Sequence, residues 1–277
     1  MSIINDIKAS FNKATSAEKL IYINVSIFLL GALLPTVAID WLSLPTQINE
    51  FLQKPWTLIS YSFVHIRFVH FLSVIIVLYF VGNLFLDFYN KKQFIKVYFL
   101  GVIVGAVVFL LNYYLTGKTG DPLGGASAAV SAIFVAIATK IPRYAFNLRF
   151  IGSVELWVLA AIWVVLNILQ IVNVDNGPAI AHLGGAVFGF IYSKQLSAGN
   201  DIGEWFEKLL DFFANLFKSN RKKTLKTVYK SKRVTSKNEI TKNKQRRIND
   251  ILDKISKSGY ESLSQEEKDF LFRAGKK

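Results

Sequence analysis

Four side chains in this sequence have the types and the surroundings that nucleophilic catalysis needs. The chain has 277 residues, no cysteine and three histidines, His65, His70 and His182. Ser127 stands in the glycine-rich stretch Gly124-Gly125-Ala126-Ser127-Ala128. A serine hydroxyl becomes a strong nucleophile when a neighbouring base takes its proton. Because the lack of cysteine excludes thiol nucleophiles, disulfides and thiolate zinc sites, a serine and a histidine are the candidate reacting pair.

The segments that hold these residues have the composition of membrane helices. Hydrophobic residues make up 52% of the chain, and residues 21–191 include only six acidic and nine basic side chains. A soluble domain of roughly 170 residues is normally far more charged. The composition therefore excludes a soluble enzyme and predicts a multi-spanning membrane protein. The candidate spans are six apolar runs, at about residues 20–39, 58–86, 94–115, 125–141, 154–172 and 180–196.

The distribution of basic residues predicts how these spans are oriented. Lysine and arginine concentrate in the N-terminal segment and in the loops after the second and fourth runs, whereas the opposite loops carry only Lys54, Arg67 and Lys118. Basic loops remain on the cytoplasmic side. Both termini are therefore predicted to be cytoplasmic, and the expected location is the inner membrane of a bacterium. The second, fourth and sixth spans then all run from outside to inside.

This topology brings the polar residues to one depth in the outer half of the bilayer. His65 and His70 lie at the outer start of the second span, Ser127 at that of the fourth, and His182 near that of the sixth. Ionisable side chains at such a depth are candidates for function. Ser127 opens a helix, where free backbone N–H groups can stabilise an oxyanion. Since the sequence offers no carboxylate at this level, the hypothesis is a dyad and not a triad.

Three glycines favour close contact around this pair. Gly125 permits a close approach of backbone or substrate. Gly185 and Gly189 are four residues apart on the sixth span, so the helix could pack tightly against the fourth and bring His182 toward Ser127. Each signal also has a structural interpretation, because serine in membrane helices often bonds its own backbone and glycines often serve packing alone. Their combination at one depth favours catalysis.

At these residues the sequence resembles the rhomboid family of intramembrane serine proteases, over about residues 20–196. Gly125-Ala126-Ser127-Ala128 is similar to the family's G-x-S-G/A nucleophile motif. Ala181-His182, with Gly185 and Gly189, is similar to its A-H-x-x-G-x-x-x-G motif. The remaining similarities are two histidines at the start of the second helix and the tryptophan of a first-loop W-R motif, here His65, His70 and Trp56.

The resemblance implies an all-α membrane protein, a rhomboid-like bundle of six transmembrane helices with a cytoplasmic C-terminal helical appendage. It implies that Ser127 is the nucleophile and His182 the general base, and that His70 and the Ser127 N–H form the oxyanion hole. His65 is expected within the second helix in a supporting role. The substrate would be a transmembrane helix of another membrane protein that enters sideways past helices two and five. No metal or cofactor is expected.

Three positions depart from the family pattern. Val74 stands where an asparagine often follows the oxyanion histidine by four residues. Ser131 stands where an aromatic residue often stacks on the catalytic histidine, and Thr57 replaces the arginine of the W-R motif. The missing asparagine removes one oxyanion donor, and such a donor is worth roughly 10²–10³ in rate. The alternative to an active protease is therefore a weak or inactive rhomboid-like protein that binds transmembrane helices. A third interpretation is an unrelated transporter. Many transporters contain internal repeats, and the sequence shows none, which disfavours this interpretation.

The predicted segments outside the bundle are polar or amphipathic. Residues 1–19 form a cytoplasmic N-terminal segment and residues 20–197 the membrane domain. Residues 198–218 form an amphipathic interfacial helix, 219–246 a basic and disordered linker, and 247–277 a short helical appendage. From residue 218 to 247 there are thirteen basic residues and one acidic residue, within a formal net charge of +14. The expected partner of this charge is anionic lipid and not nucleic acid.

Overall fold

The computed structural model describes residues 3–148, 152–174, 177–217 and 232–275. The chain divides into two compact units, residues 1–217 and residues 218–277. The helices of the described residues are α1 (Ile3–Lys13), α2 (Ser16–Leu33), α3 (Pro35–Leu42), α4 (Ile48–Gln53), α5 (Thr57–Ser60), α6 (Phe68–Phe88), α7 (Lys91–Thr116), α8 (Ser127–Lys140), α9 (Leu156–Val174), α10 (Gly177–Ser197), α11 (Glu204–Phe217), α12 (Lys232–Ser258) and α13 (Gln265–Gly275). The strands are β1 (Ala145–Leu148) and β2 (Gly152–Glu155).

Three of the described helices, α2, α6 and α7, are long and apolar enough to cross a membrane. α8 and the part of α9 from Leu156 to Val172 are shorter apolar helices, and α10 has 21 residues. A helix rises about 1.5 Å per residue, so the 14 residues of α8 are too few to cross the roughly 30 Å hydrocarbon layer. The chain is a mostly helical membrane protein, and six spans remain a prediction.

The sequence predicts one helix for the first apolar run, but the structure has two. α2 ends at Leu33, and α3 begins at Pro35. Leu34 between them has φ −132° and ψ 63°, outside the helical region. Proline disfavours helical dihedrals in the residue before it and has no N–H for a helical bond, so the run breaks where Pro35 stands.

The second predicted span begins ten residues later than its apolar run. α6 starts at Phe68, and the preceding residues form α5 and a 3₁₀ turn, Tyr61–Phe63. The buried Tyr61 ties this segment to the bundle, because its hydroxyl donates to the Val102 carbonyl at 2.8 Å and its carbonyl accepts from the Gly125 N–H at 2.9 Å. A buried connecting segment is as apolar as a helix, so the composition could not separate the two.

The all-α prediction missed a short antiparallel ribbon of β1 and β2. Phe146 pairs with Val154, and Ala145 with Glu155. The Leu156 N–H donates to the Tyr144 carbonyl at 2.8 Å, so the ribbon leads directly into α9. Strands of four residues are too short to show a clear alternation in the sequence.

α8 is enclosed by its neighbours, with eleven of its residues buried. On α10, a side chain at Gly185 would collide with the Ala128 carbonyl, and one at Gly189 with the Ala132 carbonyl. Gly101 and Gly105 of α7 likewise lie directly against the Ala132 and Ala128 side chains. Because glycine and alanine let helix backbones approach closely, these pairs fix the position of α8 between α7 and α10.

The first loop braces the segment that precedes α8. Leu44 and Leu123 form an antiparallel bridge, with N–H···O distances of 3.0 and 2.8 Å. In the same loop the Trp56 ring stacks on that of Trp41, with centroids 6.2 Å apart, and its Nε1 donates to the Trp41 carbonyl. The loop is thus an ordered part of the membrane unit.

α11 is held to α7 by charge and by an aromatic contact. Lys96, 3% exposed, forms ion pairs with Asp201 and Glu207, and Lys92 forms a second pair with Glu207. Phe206 is buried next to Phe99, so it packs on the protein instead of facing lipid.

In the second unit, α12 covers residues that the sequence analysis predicted to be disordered. It begins at Lys232, so residues 232–246 of the predicted linker are helical, whereas residues 219–231 lie outside the described residues. Ser264 and Glu267 cap α13 as the sequence predicts: the Ser264 N–H donates to Glu267 Oε2 at 2.8 Å and the Glu267 N–H to Ser264 Oγ at 3.3 Å. Ile251 and Leu263 form a small buried core.

Candidate active site

Ser127 is the first residue of α8 and is only 2% exposed. The first N–H groups of a helix have no acceptor within it, so they are available to a ligand beside the Ser127 hydroxyl. Gly125 precedes it with φ +118°, a conformation that favours glycine. A Cβ at Gly125 would lie 3.2 Å from His70 Cε1, so glycine also leaves room for that ring.

His182 lies on α10 and is held by a residue that the sequence analysis did not single out, Asn167 of α9. Its Nδ1 lies 2.7 Å from Asn167 Oδ1, and Asn167 Nδ2 donates to the Trp163 carbonyl at 2.8 Å. Because the amide nitrogen is occupied, the amide oxygen faces the imidazole and Nδ1 is the donor. His182 Nε2 is buried and has no hydrogen-bond partner among the described residues. Nε2 is therefore the nitrogen with a free lone pair, as a general base requires.

Trp163 of α9 also contacts His182. The two rings stack with centroids 6.3 Å apart and planes 28° apart. Trp163 Nε1 donates to Ser131 Oγ at 3.0 Å, and Ser131 Oγ donates to the Ser127 carbonyl at 2.9 Å. Ser131 cannot stack on His182 as an aromatic residue at that position would, and Trp163 of α9 provides the stacking ring instead.

The two remaining histidines occupy different positions around Ser127. The resemblance implies that His65 lies within the second helix, but it lies in the segment before α6. Its Nε2 accepts the Ala126 N–H at 3.4 Å, so it contacts the turn that leads into Ser127. His70 lies in the first turn of α6, and its ring centroid is 6.1 Å from that of His65.

Ser127, His182 and His70 line one cavity of about 730 Å³. Val74, which replaces the expected asparagine, lines the same cavity with an apolar side chain. Asp121 lines it too, so a carboxylate is present where the sequence analysis expected none, although His182 bonds Asn167 instead. Across the described ranges, no three His, Cys, Asp or Glu side chains gather as a metal site would require.

This arrangement places a helix-opening serine, an oriented histidine and a second histidine around one space. Acyl transfer requires these three functions, a nucleophile, a base and an oxyanion donor. The sequence analysis missed Asn167 and Trp163, although a signal was present. They are four residues apart on an apolar helix and so share one face.

Comparison with known families identifies the class. The rhomboid domain family matches residues 52–198, more than half of the chain and the whole of α5 to α10. The chain belongs to the rhomboid family, and the resemblance drawn from its motifs is confirmed. The family match begins at residue 52, whereas the resemblance was drawn from about residue 20. Helices α1 to α3 therefore lie before the match, and α4 lies at its edge.

Two relatives show how distant the known members are. RHOMBOID-like protein 12, mitochondrial, of Arabidopsis thaliana is 30% identical over 157 residues, which are 52% of this chain and 47% of that protein. Presenilin-associated rhomboid-like protein, mitochondrial, of Homo sapiens is 27% identical over 147 residues, 52% of this chain and 38% of that protein. The chain therefore spans less than half the length of these curated relatives. Residues 223–277 match a separate family of unknown function, DUF6576.

Proposed function

We propose that this protein is an intramembrane serine endopeptidase that cuts transmembrane helices of other membrane proteins. Ser127 is the nucleophile and His182 the general base. The observation that carries the proposal is the state of His182, which lines the same cavity as Ser127. Its Nδ1 is bonded to Asn167, and its Nε2 has no hydrogen-bond partner in the part of the chain that the structure describes. The sequence motifs and the family membership support the same assignment.

The proposed reaction follows from these roles. His182 Nε2 takes the proton of the Ser127 hydroxyl as its Oγ attacks the scissile carbonyl. The negative charge that forms on the carbonyl oxygen is stabilised by the Ser127 N–H and by His70. His182 then gives the proton to the leaving amine as the C–N bond breaks. In the second half of the reaction, His182 Nε2 takes a proton from water as the water oxygen attacks the acyl carbon, and returns it to Ser127 Oγ as the bond from Oγ to that carbon breaks.

The decisive experiment compares the wild type with Ser127→Ala, His182→Ala and the double variant. The readouts are cleavage of a model transmembrane substrate in liposomes and labelling by a serine-reactive fluorophosphonate. Because the two side chains act as a unit, each single variant should lose nearly all activity, and the double variant should be little worse. Ser26→Ala is the matched control, since Ser26 bonds its own helix through the Tyr22 carbonyl. A folded Ser127→Ala that still cuts at the wild-type rate would refute the proposal.

The second candidate is a weak or inactive rhomboid-like protein that binds transmembrane helices. Val74 favours it, because this buried side chain cannot donate to an oxyanion. The complementary test is Val74→Asn, which places an amide donor in the cavity, one helical turn after His70. If the protein is a protease, this variant should keep or raise the cleavage rate. A wild type that binds substrate helices, but neither cuts nor labels, would establish the second candidate instead.

We also propose six spans with both termini on the cytoplasmic side. The basic loops carry this proposal. Since the chain has no cysteine, Lys91→Cys and Thr119→Cys each create a unique thiol in an exposed position. A membrane-impermeant reagent added outside should label Cys only in the Thr119 variant. The relatives' names place those proteins in mitochondria, so they give no support to a bacterial inner membrane.

For the basic segment we propose contact with anionic lipid. Each basic residue near an anionic surface contributes about 1 kcal/mol, and salt screens this attraction. The full chain in anionic liposomes should therefore be cut by trypsin within residues 218–247 more slowly than in zwitterionic liposomes. High salt should abolish the difference. Equal cutting in both lipids at low salt would contradict the proposal.

A further inference from the structure

α9 reaches the proposed base with two side chains. Asn167 Oδ1 lies 2.7 Å from His182 Nδ1, and the Trp163 ring stacks on the His182 ring. We infer that Asn167 is a positioning residue for His182, so that the site works as a serine, a histidine and an asparagine. This inference rests on the proposed function of Ser127 and His182.

The surroundings of Asn167 show why it is more than a polar residue that bonds its own helix. Asn167 is 3% exposed on a helix whose sequence is mostly apolar, and a buried amide is costly unless both of its ends are bonded. Its Nδ2 bonds the carbonyl four residues earlier, as Asn83 does with the Tyr79 carbonyl. Its Oδ1 is free of the helix and accepts from His182. The backbone bond therefore fixes the amide so that its oxygen, and not its nitrogen, meets the imidazole.

The chemical consequence is a fixed tautomer. An acceptor at Nδ1 keeps the proton on that nitrogen and leaves the Nε2 lone pair for the Ser127 hydroxyl. The same contact limits rotation of the ring, and it persists when His182 becomes an imidazolium during the reaction. A neutral amide provides this orientation without a second charge in the apolar interior, where a carboxylate would be costly.

Trp163 strengthens the same connection. It joins the stack on His182 to Ser131, whose hydroxyl bonds the Ser127 carbonyl. One face of α9 thus contacts the base directly and the nucleophile's helix through Ser131. The bond from Trp163 is made to Ser131, the position at which other family members often have an aromatic residue.

The first arm of the test is spectroscopic and needs no substrate. The chain has only three histidines, so ¹⁵N-histidine labelling of the full protein in detergent gives three pairs of ring signals, which His65→Gln and His70→Gln variants assign. In the wild type, His182 should be protonated at Nδ1 and not at Nε2. Asn167→Leu should shift the ring toward a mixture of tautomers. Asn83→Leu is the matched control, since it removes an asparagine with the same helical bond and a similar accepted bond, from Thr15.

The second arm is kinetic. Loss of the hydrogen-bond partner that orients a metal-bound histidine typically costs about 10–10²-fold, and we expect a loss of the same order for His182. Asn167→Leu should therefore lower kcat by that factor with little change in KM, while Asn83→Leu leaves both constants unchanged. Asn167→Asp loses the bond to the Trp163 carbonyl but keeps an acceptor toward His182 Nδ1, so it should retain more activity than Asn167→Leu. Its added charge favours the imidazolium, so the acidic limb of its pH–rate profile should move to higher pH. The other ionisable groups lining the cavity are His70 of α6 and Arg67 just before it, Tyr113 of α7, and Lys118 and Asp121 in the loop before α8.

The outcomes separate this inference from the proposed function. If Ser127→Ala abolishes cleavage but folded Asn167→Leu retains the wild-type kcat, only the role of Asn167 is wrong. If wild-type His182 carries its proton on Nε2, the inference is wrong whatever the activity. If Asn167→Leu does not fold, the wild-type tautomer and the pH profile of Asn167→Asp decide the question. An unshifted profile for Asn167→Asp would count against the inference.

Discussion

α8 and α9 bring residues to the same cavity from opposite kinds of environment. α8 is buried along most of its length, and backbone atoms of α8 touch glycines of α10. α9 lies at the edge of the bundle, where Trp157, Ile162 and Val172 are all more than half exposed. The proposed nucleophile is therefore held by a tightly packed helix, whereas the proposed base is positioned partly by a helix at the edge of the bundle.

The two helices should therefore respond differently to substitution. Changes at the α8–α10 contact should act on folding, because there is no room to relax. Changes on the inner face of α9 should act on the rate, because they alter the orientation of His182 while the outer face of the helix is exposed at the edge of the bundle.

Gly185→Leu should give the largest loss. The new side chain would enter the space of the Ala128 carbonyl, and overpacking of this kind costs about 3 kcal/mol. Thermal unfolding and cleavage should both be strongly impaired. Val187→Leu, at a 59% exposed position of the same helix, should behave as the wild type. Normal unfolding of Gly185→Leu would mean that the α8–α10 contact is looser than described.

Trp163→Leu should reduce the rate and leave the fold nearly intact. An aromatic contact contributes about 0.5–1.5 kcal/mol, so kcat should fall by up to about tenfold. Leu166→Ala, at a 51% exposed position of α9, is the control and should not change kcat. Equal effects of both variants would show that α9 contributes general packing and no orientation of His182.

Glu207→Gln should weaken the attachment of α11 in a pH-dependent way. Hydrogen bonds from Lys92 and then from Lys96 hold the pKa of Glu207 below its ordinary value of 4.5. A lowered pKa in the folded state means that the stabilisation is complete above the ordinary value and is lost as the pH falls through the lowered one. The melting temperature of the variant should therefore lie below that of the wild type at pH 7, and the two should converge in acid. A difference that persists in strong acid would rule out the ion pairs as its cause.

Ser264→Ala should have the smallest effect and should not touch catalysis. It removes the cap of α13, which is worth about 1 kcal/mol. Hydrogen exchange in residues 265–275 of the full chain should become faster, while the cleavage rate stays unchanged. A change in cleavage would reveal a link between the second unit and the active site.

The sequence was sufficient for the parts of the site that depend on motif and spacing. Ser127, His182 and the two glycines of α10 could be placed because serine chemistry, helix starts and close helix packing each require particular residue types. The family followed from the same residues. Apolar runs predicted helices well where they ended at caps, as α7 does with the box of Asn90 and Gln93.

The packing of the helices against one another determines which residues complete the candidate site. Periodicity shows that Asn167 and Trp163 share a face of α9, but not that this face meets His182, because the contact depends on how α9 packs. The true start of α6 and the place of His65 were likewise set by Tyr61, which bonds α7 and the turn before Ser127. Local sequence determines what a segment can form, and long-range contacts determine which side chains meet.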